Sequence, residues 1–140
     1  MSVEKLNEYA KLNRVIDQEI DTLIRRLGEG NEIVLDSRLG FYWIHDSFKV
    51  YLTVDRDIAA RRIYEDIIKG RRKGEKALTI IEVTASIQKQ SESIMERYFR
   101  DYGIDISNTN SFDLIIDTDH KTPDDVVTLI RKHYKEWQGK

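Results

Sequence analysis

The chain has 140 residues, 40% of them hydrophobic and 34% charged, which allows one modest core and excludes two. Its 23 basic and 25 acidic side chains give a net charge of -2, so no overall positive field indicates nucleic acid or an anionic membrane as a partner. The absence of cysteine excludes disulfides and thiolate sites, and no apolar run approaches the ~20 residues of a membrane span. Together these features predict a soluble, cytoplasmic, single-domain protein.

The first thirty residues predict two helices, a short one from about Val3 to Ala10 and a stronger one that follows. The second has apolar side chains at helical spacing: Ile16, Ile20, Leu23 or Ile24, and Leu27. Gly28 and Gly30 are expected to end it by adopting left-handed backbone. Asp17 and Asp21 lie four residues apart and share a face, which is either solvated or part of a ligand site.

The stretch from Asn31 to Asp55 organises the chain. The apolar run Ile33–Leu35 predicts a strand buried on both faces, as in a parallel sheet. Asp36, Ser37 and Arg38 follow directly, at the carboxyl end of that strand, where open α/β sheets bind their ligands. A second strand is predicted from Phe48 to Val54, because apolar and polar residues alternate there.

Charged segments follow the second strand. Asp55 is expected to cap a helix from Arg56 to Lys69. The segment Gly70–Lys76, GRRKGEK, has two glycines and four cations, which is typical of a solvated basic turn or of a mobile lid. It is a poor phosphate-binding loop, because it lacks the required glycine spacing and the terminal Ser or Thr.

The C-terminal part predicts a long helix, a strand and a final helix. Thr79 and Glu82 form a capping box, and Gly103 ends the long helix. Its apolar side consists of these residues: Ile80, Val83, Ile87, Ile94, Tyr98 and Tyr102. A strand follows at Phe112–Ile116, and Thr122, Pro123 and Asp125 begin the last helix. The apolar face of that helix consists of these residues: Val126, Val127, Ile130, Tyr134 and Trp137.

Two segments resemble the cytidylate kinase-like family of nucleoside monophosphate kinases, which transfer the terminal phosphoryl group of ATP to CMP or dCMP. DSRLGFYWIHDSFKVYLTVDRDIAARRIYED looks like the central segment of that family. ERYFRDYGIDISN, followed by FDLIIDTDHKTPDDVVTLI, resembles its last helix, strand and terminal helix in the same order.

The resemblance implies an α/β fold, a three-layer parallel sheet of the P-loop nucleoside monophosphate kinase type. The first strand, P-loop and first helix of the family have no counterpart in these residues, so an incomplete version is expected. We expect one domain over residues 1–140, in four parts: acceptor-side helices (1–30), strand-loop-strand-helix (31–69), basic loop and lid-like long helix (70–103), and last strand with terminal helix (104–140).

The resemblance also assigns an acceptor site. Asp36, Ser37 and Arg38 match the family's substrate-binding triplet, with Arg38 at the acceptor phosphate. Asp17 and Asp21 match a segment of the acceptor-binding region and are expected to contact base or ribose. A structural alternative for Arg38 is an ion pair with Asp36.

Phosphate contacts on the lid side are implied in the same way. Arg97 matches one of two family arginines that hold phosphates, whereas the other falls at or beside Gln90, which has no charge. Lys89 is a substitute without the planar fork of arginine. Three further arginines are assigned to the phosphate or lid region: Arg62, Arg71 and Arg72.

The family's cofactors are ATP and Mg²⁺, and neither is expected to find a complete site here. The leading expectation is a cytidylate kinase-like chain that binds CMP or dCMP weakly and is inactive alone. The alternative is a non-catalytic nucleotide-binding or interaction module that self-associates through unpaired strand edges. No metal site is expected, because His45, His120 and His133 lie far apart in sequence.

Overall fold

The computed structural model describes residues 5, 8, 9, 14–76 and 79–140. These residues form an α/β structure with the following elements: α1 (Arg14–Gly28), α2 (Gly40–Trp43), β1 (Val50–Thr53), α3 (Arg56–Ile68), α4 (Ile80–Tyr102), β2 (Leu114–Asp117) and α5 (Pro123–Gln138). The α/β class is therefore confirmed. Most of the helix predicted at Val3–Ala10 lies outside the described residues. No helix in the described ranges is long and apolar enough to cross a membrane.

The chain divides into two compact units. One consists of Met1–Lys11 and Thr53–Asn108, and the other of Leu12–Leu52 and Thr109–Lys140. The first unit contains α3 and α4, and the second contains α1, α2, α5, β2 and most of β1. The single-domain organisation in four parts stays a prediction.

The first unit is a pair of packed helices whose ends follow the predicted local chemistry. The Asp55 carboxylate accepts hydrogen bonds from the first free amides of α3. Thr79 and Glu82 form the expected capping box at the start of α4, with bonds of 2.9 and 3.2 Å. Gly103 ends α4 with a left-handed φ of 67°. The buried side of α4 includes Val83, Ile94 and Tyr98, as predicted, whereas its first residue, Ile80, is exposed.

The second unit contains a two-stranded parallel sheet, in which the Lys49 carbonyl accepts from the Asp113 and Leu114 amides. Both strands are shifted or shortened relative to the predictions of Phe48–Val54 and Phe112–Ile116. The phenylalanine at each predicted start lies outside the strand and packs against other aromatic rings. Phe48 contacts Tyr134 and Trp137, and Phe112 contacts Phe41 and Tyr51.

The predicted strand Ile33–Leu35 is wrong. These residues have no regular secondary structure, and Val34 is fully exposed rather than buried. A strand is held by hydrogen bonds to a neighbouring strand, and the two strands in the described part of the chain pair with each other. An apolar run therefore does not become a strand here, because no neighbour pairs with it.

Helix α1 buries only part of the face predicted for it. Of the predicted apolar residues, Ile24 is buried, whereas Ile20, Leu23 and Leu27 are exposed. Asp17 and Asp21 are buried on the same side as Ile24, and the helix packs against α2, where the Trp43 indole N–H donates to Asp21. Hydrophobic periodicity alone therefore did not predict that two carboxylates share the buried side of this helix.

Gly28 ends α1 without the predicted left-handed backbone, since the left-handed glycines of the described residues are Gly70, Gly74 and Gly103. A Cβ at Gly28 would lie 2.7 Å from Ile44 Cγ1, so a side chain at this position would require Ile44 to shift. The left-handed conformation predicted for Gly30 is likewise wrong.

Helix α5 begins as predicted. Thr122 and Asp125 form a capping box, and Pro123 occupies the first turn. Val126 is buried and the helix packs on β2, whereas Val127 and Tyr134, predicted to face the core, are exposed. The sheet is thus only partly covered within its own unit.

Candidate functional site

The acceptor loop, which we define as residues 36–40, is anchored at one end and open at the other. Leu39 is buried, and the Ser37 hydroxyl accepts a hydrogen bond from the Gly40 amide at 3.1 Å. Gly40 lies close to Ser37, since a Cβ at Gly40 would be 3.3 Å from Ser37 Cβ. Asp36 and Arg38 are exposed. The loop therefore presents one carboxylate and one guanidinium to solvent from a fixed base.

Arg38 is available for a ligand. In the described part of the chain it forms no ion pair, so the structural alternative of pairing with Asp36 is not found. A guanidinium offers five N–H donors in a planar fork that fits two oxygens of a phosphate. Arg38 thus has the chemistry required of an anion ligand and is not engaged in a structural contact that competes with this role.

Asp17 and Asp21 are not part of a solvated face, because each is only 6% exposed. Asp21 Oδ1 accepts a hydrogen bond from Trp43 Nε1 at 3.0 Å. The Arg25 guanidinium carbon lies 3.7 Å from the centre of the Trp43 ring, within range of a cation–π interaction. Sequence reasoning missed Arg25 and Trp43. The only sequence signal was the four-residue spacing of Asp17, Asp21 and Arg25, which does not reveal the partner of that helix face.

The residues predicted for the lid side lie in the other unit. Arg97 is 4% exposed, with its guanidinium carbon 5.4 Å from the centre of the Tyr98 ring. Gln90 Nε2 donates to the Ser86 hydroxyl at 3.4 Å. Lys89, the possible substitute cation, is exposed and lies 3.9 Å from a Glu8 carboxylate oxygen.

Two of the four cations of the basic loop form ion pairs. Arg71 pairs with Asp66 at 2.9 Å, and Arg72 donates to both carboxylate oxygens of Glu75 at 3.0 and 2.9 Å. These pairs are partly exposed, and exposed pairs contribute at most ~1 kcal/mol. A phosphate could therefore replace either carboxylate at small cost. Arg62, the third predicted lid residue, is exposed on α3.

The described residues do not make a magnesium site. They contain no group of three or more His, Cys, Asp or Glu side chains that could hold a metal ion. His133 is instead close to Glu136, with Nδ1 3.3 Å from Oε2. The 140 residues also lack the G-x-x-x-x-G-K-[ST] pattern whose amides and lysine hold ATP phosphates. We therefore assign no residue to Mg²⁺ or to the phosphates of ATP.

Comparisons with known proteins give the family. No family model matches the chain, and no solved structure matches it. It is 32% identical over 137 residues to the S-adenosylmethionine-dependent nucleotide dehydratase of Lacinutrix mariniflava, covering 97% of this chain and 27% of that protein. It is 29% identical over 132 residues to the cytidylate kinase of Pyrococcus furiosus, covering 94% of this chain and 64% of the relative.

The cytidylate kinase of Methanobrevibacter smithii is 31% identical over 131 residues, covering 93% of this chain and 71% of the relative. The chain thus spans between about a quarter and about seven tenths of the lengths of these three relatives. Nearly all of its residues are matched in each case. The Methanobrevibacter smithii relative is more than 30% identical and is covered over more than two thirds of its length, and the chain therefore belongs to the cytidylate kinase family.

Proposed function

We propose that this chain is the acceptor-binding part of a cytidylate kinase-like phosphotransferase and that it binds CMP or dCMP. The observation that carries the proposal is Arg38, an exposed arginine without an ion pair in the described residues, on a loop anchored at Leu39 and Gly40. The relatives named cytidylate kinase support the substrate class.

Phosphoryl transfer requires little covalent chemistry from the protein. Two phosphates must be brought in line, and their charge must be neutralised. Arg38 would hold the phosphate of the monophosphate with two N–H donors, which both orients its attacking oxygen and offsets its charge. The exposed Ser37–Arg38 backbone and the Asp36 carboxylate would contact the nucleoside.

ATP, bound with Mg²⁺, supplies the transferred phosphoryl group in the family. The described residues contain no cluster that fits Mg²⁺, and the sequence has no phosphate-binding loop for ATP, so no step is assigned to either group. We infer that these 140 residues bind the acceptor without catalysing the transfer. The three-layer parallel sheet of the P-loop kinases is also a proposal, supported by the parallel β1–β2 pair with α5 packed on β2.

Calorimetry with CMP, dCMP, UMP and AMP, together with a coupled assay of ATP-dependent CMP phosphorylation, tests this function. We expect saturable binding of the cytidine nucleotides, weaker binding of the others, and no phosphorylation above background. Absence of CMP binding would overturn the acceptor-site proposal. Turnover at ordinary enzyme rates, about 1 to 1,000 per second, would overturn the inactivity of the chain.

A second candidate is a non-catalytic nucleotide-binding or interaction module. The Lacinutrix mariniflava relative favours this candidate. The region that matches this chain makes up 27% of that relative, whose name refers to a different reaction on nucleotides. The exposed aliphatic side chains of the sheet, Leu52 and Ile115, favour self-association of such a module. Self-association without CMP binding would support this candidate over the first.

A further inference from the structure

We propose that α1 fixes the acceptor loop through Trp43, and that Asp21 and Arg25 are positioning residues for Arg38. This inference rests on the proposed function, because the group being positioned is the proposed ligand of the CMP phosphate. It adds Arg25 to the determinants of acceptor binding and gives Asp21, which was expected to contact base or ribose, a role that acts through Trp43 instead.

Successive turns of α1 contact the segment that follows the loop. Asp21 accepts from the Trp43 indole N–H at 3.0 Å, and Arg25 lies over the same ring at 3.7 Å. One turn later, Gly28 allows close approach of Ile44. Asp21 therefore contacts the edge of the Trp43 ring and Arg25 contacts its face, and together they fix the position and the orientation of the ring.

The two contacts with Trp43 reinforce each other. A carboxylate that accepts from the indole N–H increases electron density in the ring, and the face of the ring then attracts a cation more strongly. Arginine suits the second contact because its planar group stacks on an aromatic face. Asp21 is buried, so its charge is poorly hydrated and depends on such hydrogen bonds.

Helix α2 cannot hold the loop by itself. It has four residues, and its N-cap, Leu39, makes no side-chain capping bond. A helix of one turn is unstable in isolation. Residues 33–35, on the other side of the loop, have no regular structure. The position of Arg38 thus depends on the burial of Leu39, on the Ser37–Gly40 hydrogen bond and on the contacts of α1 with Trp43.

The experiment uses fluorescence, because the chain has two tryptophans. Trp137→Phe leaves Trp43 as the reporter, and the variants Asp21→Ala, Asp21→Asn and Arg25→Gln are made in that background. Glu19→Ala, an exposed acidic residue of the same helix, is the matched control. CMP affinity is measured by calorimetry, Trp43 exposure by acrylamide quenching, and the mobility of residues 36–44 by amide hydrogen exchange.

We expect Asp21→Ala to weaken CMP binding about tenfold, to increase quenching of Trp43 and to accelerate exchange in residues 36–44. Asp21→Asn keeps an acceptor oxygen and should recover most of the affinity. Glu19→Ala should match the parent. If Asp21→Ala does not fold, Arg25→Gln, at an exposed position, should still weaken binding several-fold and increase quenching.

The outcomes separate this inference from the proposed function. Unchanged quenching and exchange in Asp21→Ala and Arg25→Gln would overturn the fixation of the loop, whether or not CMP binds. Increased quenching with unchanged CMP affinity would overturn the positioning role while leaving CMP binding intact. A parent protein that binds no CMP would overturn the proposed function, and with it the positioning role, even if Trp43 is held as described.

Discussion

Arg38 differs from the other predicted phosphate ligands because it is exposed and forms no ion pair within the described structure. Arg71 and Arg72 pair with neighbouring carboxylates, and Arg97 is buried. An exposed arginine on an anchored loop can bind an anion without first breaking an ion pair. Acceptor binding should therefore depend more on this residue than on the lid arginines.

We expect Arg38→Ala to abolish CMP binding and Arg38→Lys to restore it only in part, because lysine lacks the bidentate fork. The free energy of unfolding should change by less than about 0.5 kcal/mol in both variants, as is usual for surface substitutions. Calorimetry and thermal melts give the two quantities. Arg26→Ala, at an exposed arginine of α1, is the control. CMP affinity that survives Arg38→Ala, or a large fall in melting temperature, would make Arg38 a structural residue.

Among the glycines of the described structure, Gly28 has the least room for a side chain. Gly28→Ala places a methyl group 2.7 Å from Ile44 Cγ1 and 2.9 Å from Cδ1. Such overpacking costs about 1–3 kcal/mol, partly offset by up to about 1 kcal/mol of helix propensity. We expect a net loss of about 1–2 kcal/mol in denaturant unfolding.

The cause of that loss can be tested with Ile44→Ala. The double variant should lose less stability than the sum of the two single variants, because the clash is removed. Gly139→Ala, where the nearest atoms to the new Cβ lie at 3.6 Å, is a matched control and should be close to neutral. A Gly28→Ala protein as stable as the parent would show that Ile44 moves aside freely.

At the scale of elements, the helix ends are determined by local chemistry, and α5 gives the clearest case. The Thr122 amide donates to Asp125 Oδ2 at 2.8 Å, and the Asp125 amide donates to the Thr122 hydroxyl. The hydrogen bonds from the Thr122 amide and then its hydroxyl lower the pKa of Asp125 below its ordinary value of 3.8. The ionised form of Asp125 is therefore the one that stabilises the helix start.

Because the folded pKa of Asp125 is depressed, its contribution to stability is complete above the ordinary pKa and is lost as pH falls through the folded pKa. We expect Asp125→Asn to be less stable than the parent at neutral pH, with the difference shrinking as pH falls below about 4. Thermal melts from pH 7 to pH 3 measure this. Asp124→Asn makes the same charge change in the same turn without the capping bonds. If the stability difference between Asp125→Asn and the parent stayed constant from pH 7 to pH 3, it would contradict the lowered pKa of Asp125.

At the scale of the whole molecule, several aliphatic side chains of the second unit are exposed to solvent. Val34 is fully exposed, and Leu52 and Ile115 are each 51% exposed. Each strand also has one edge without a neighbouring strand among the described residues. Two strands alone are marginally stable in water, and open edges favour pairing with another chain.

We therefore predict that the protein self-associates. Analytical ultracentrifugation over a wide concentration range should show species larger than the monomer. Val34→Lys and Leu52→Lys should shift the distribution toward monomer, since a charge disfavours association at an apolar surface or strand edge. Asn31→Lys adds the same charge near Val34 at an exposed polar position and should have little effect. A monomer at all concentrations would rule out association through these exposed side chains and strand edges.

The sequence by itself determined the features that depend on neighbours along the chain. The caps at Asp55, Thr79 and Thr122, and the left-handed Gly103, follow from side-chain and backbone chemistry within four residues. The family and the Arg38 triplet were also readable, because they are carried by contiguous segments. The assignment of the triplet to the acceptor phosphate stays a prediction.

Only the tertiary structure decided which surfaces are buried. Ile33–Leu35 has the composition of a strand, but a strand requires a partner that pairs with its backbone, and composition does not supply one. In α1, Asp17 and Asp21 are buried together with Ile24, whereas Ile20, Leu23 and Leu27 are exposed, and the Trp43 indole N–H supplies a hydrogen-bond donor to Asp21. Hydrophobic periodicity shows which face of a helix is apolar. Which face is buried also depends on the element that packs against the helix, and the residues of that element lie far away in the sequence.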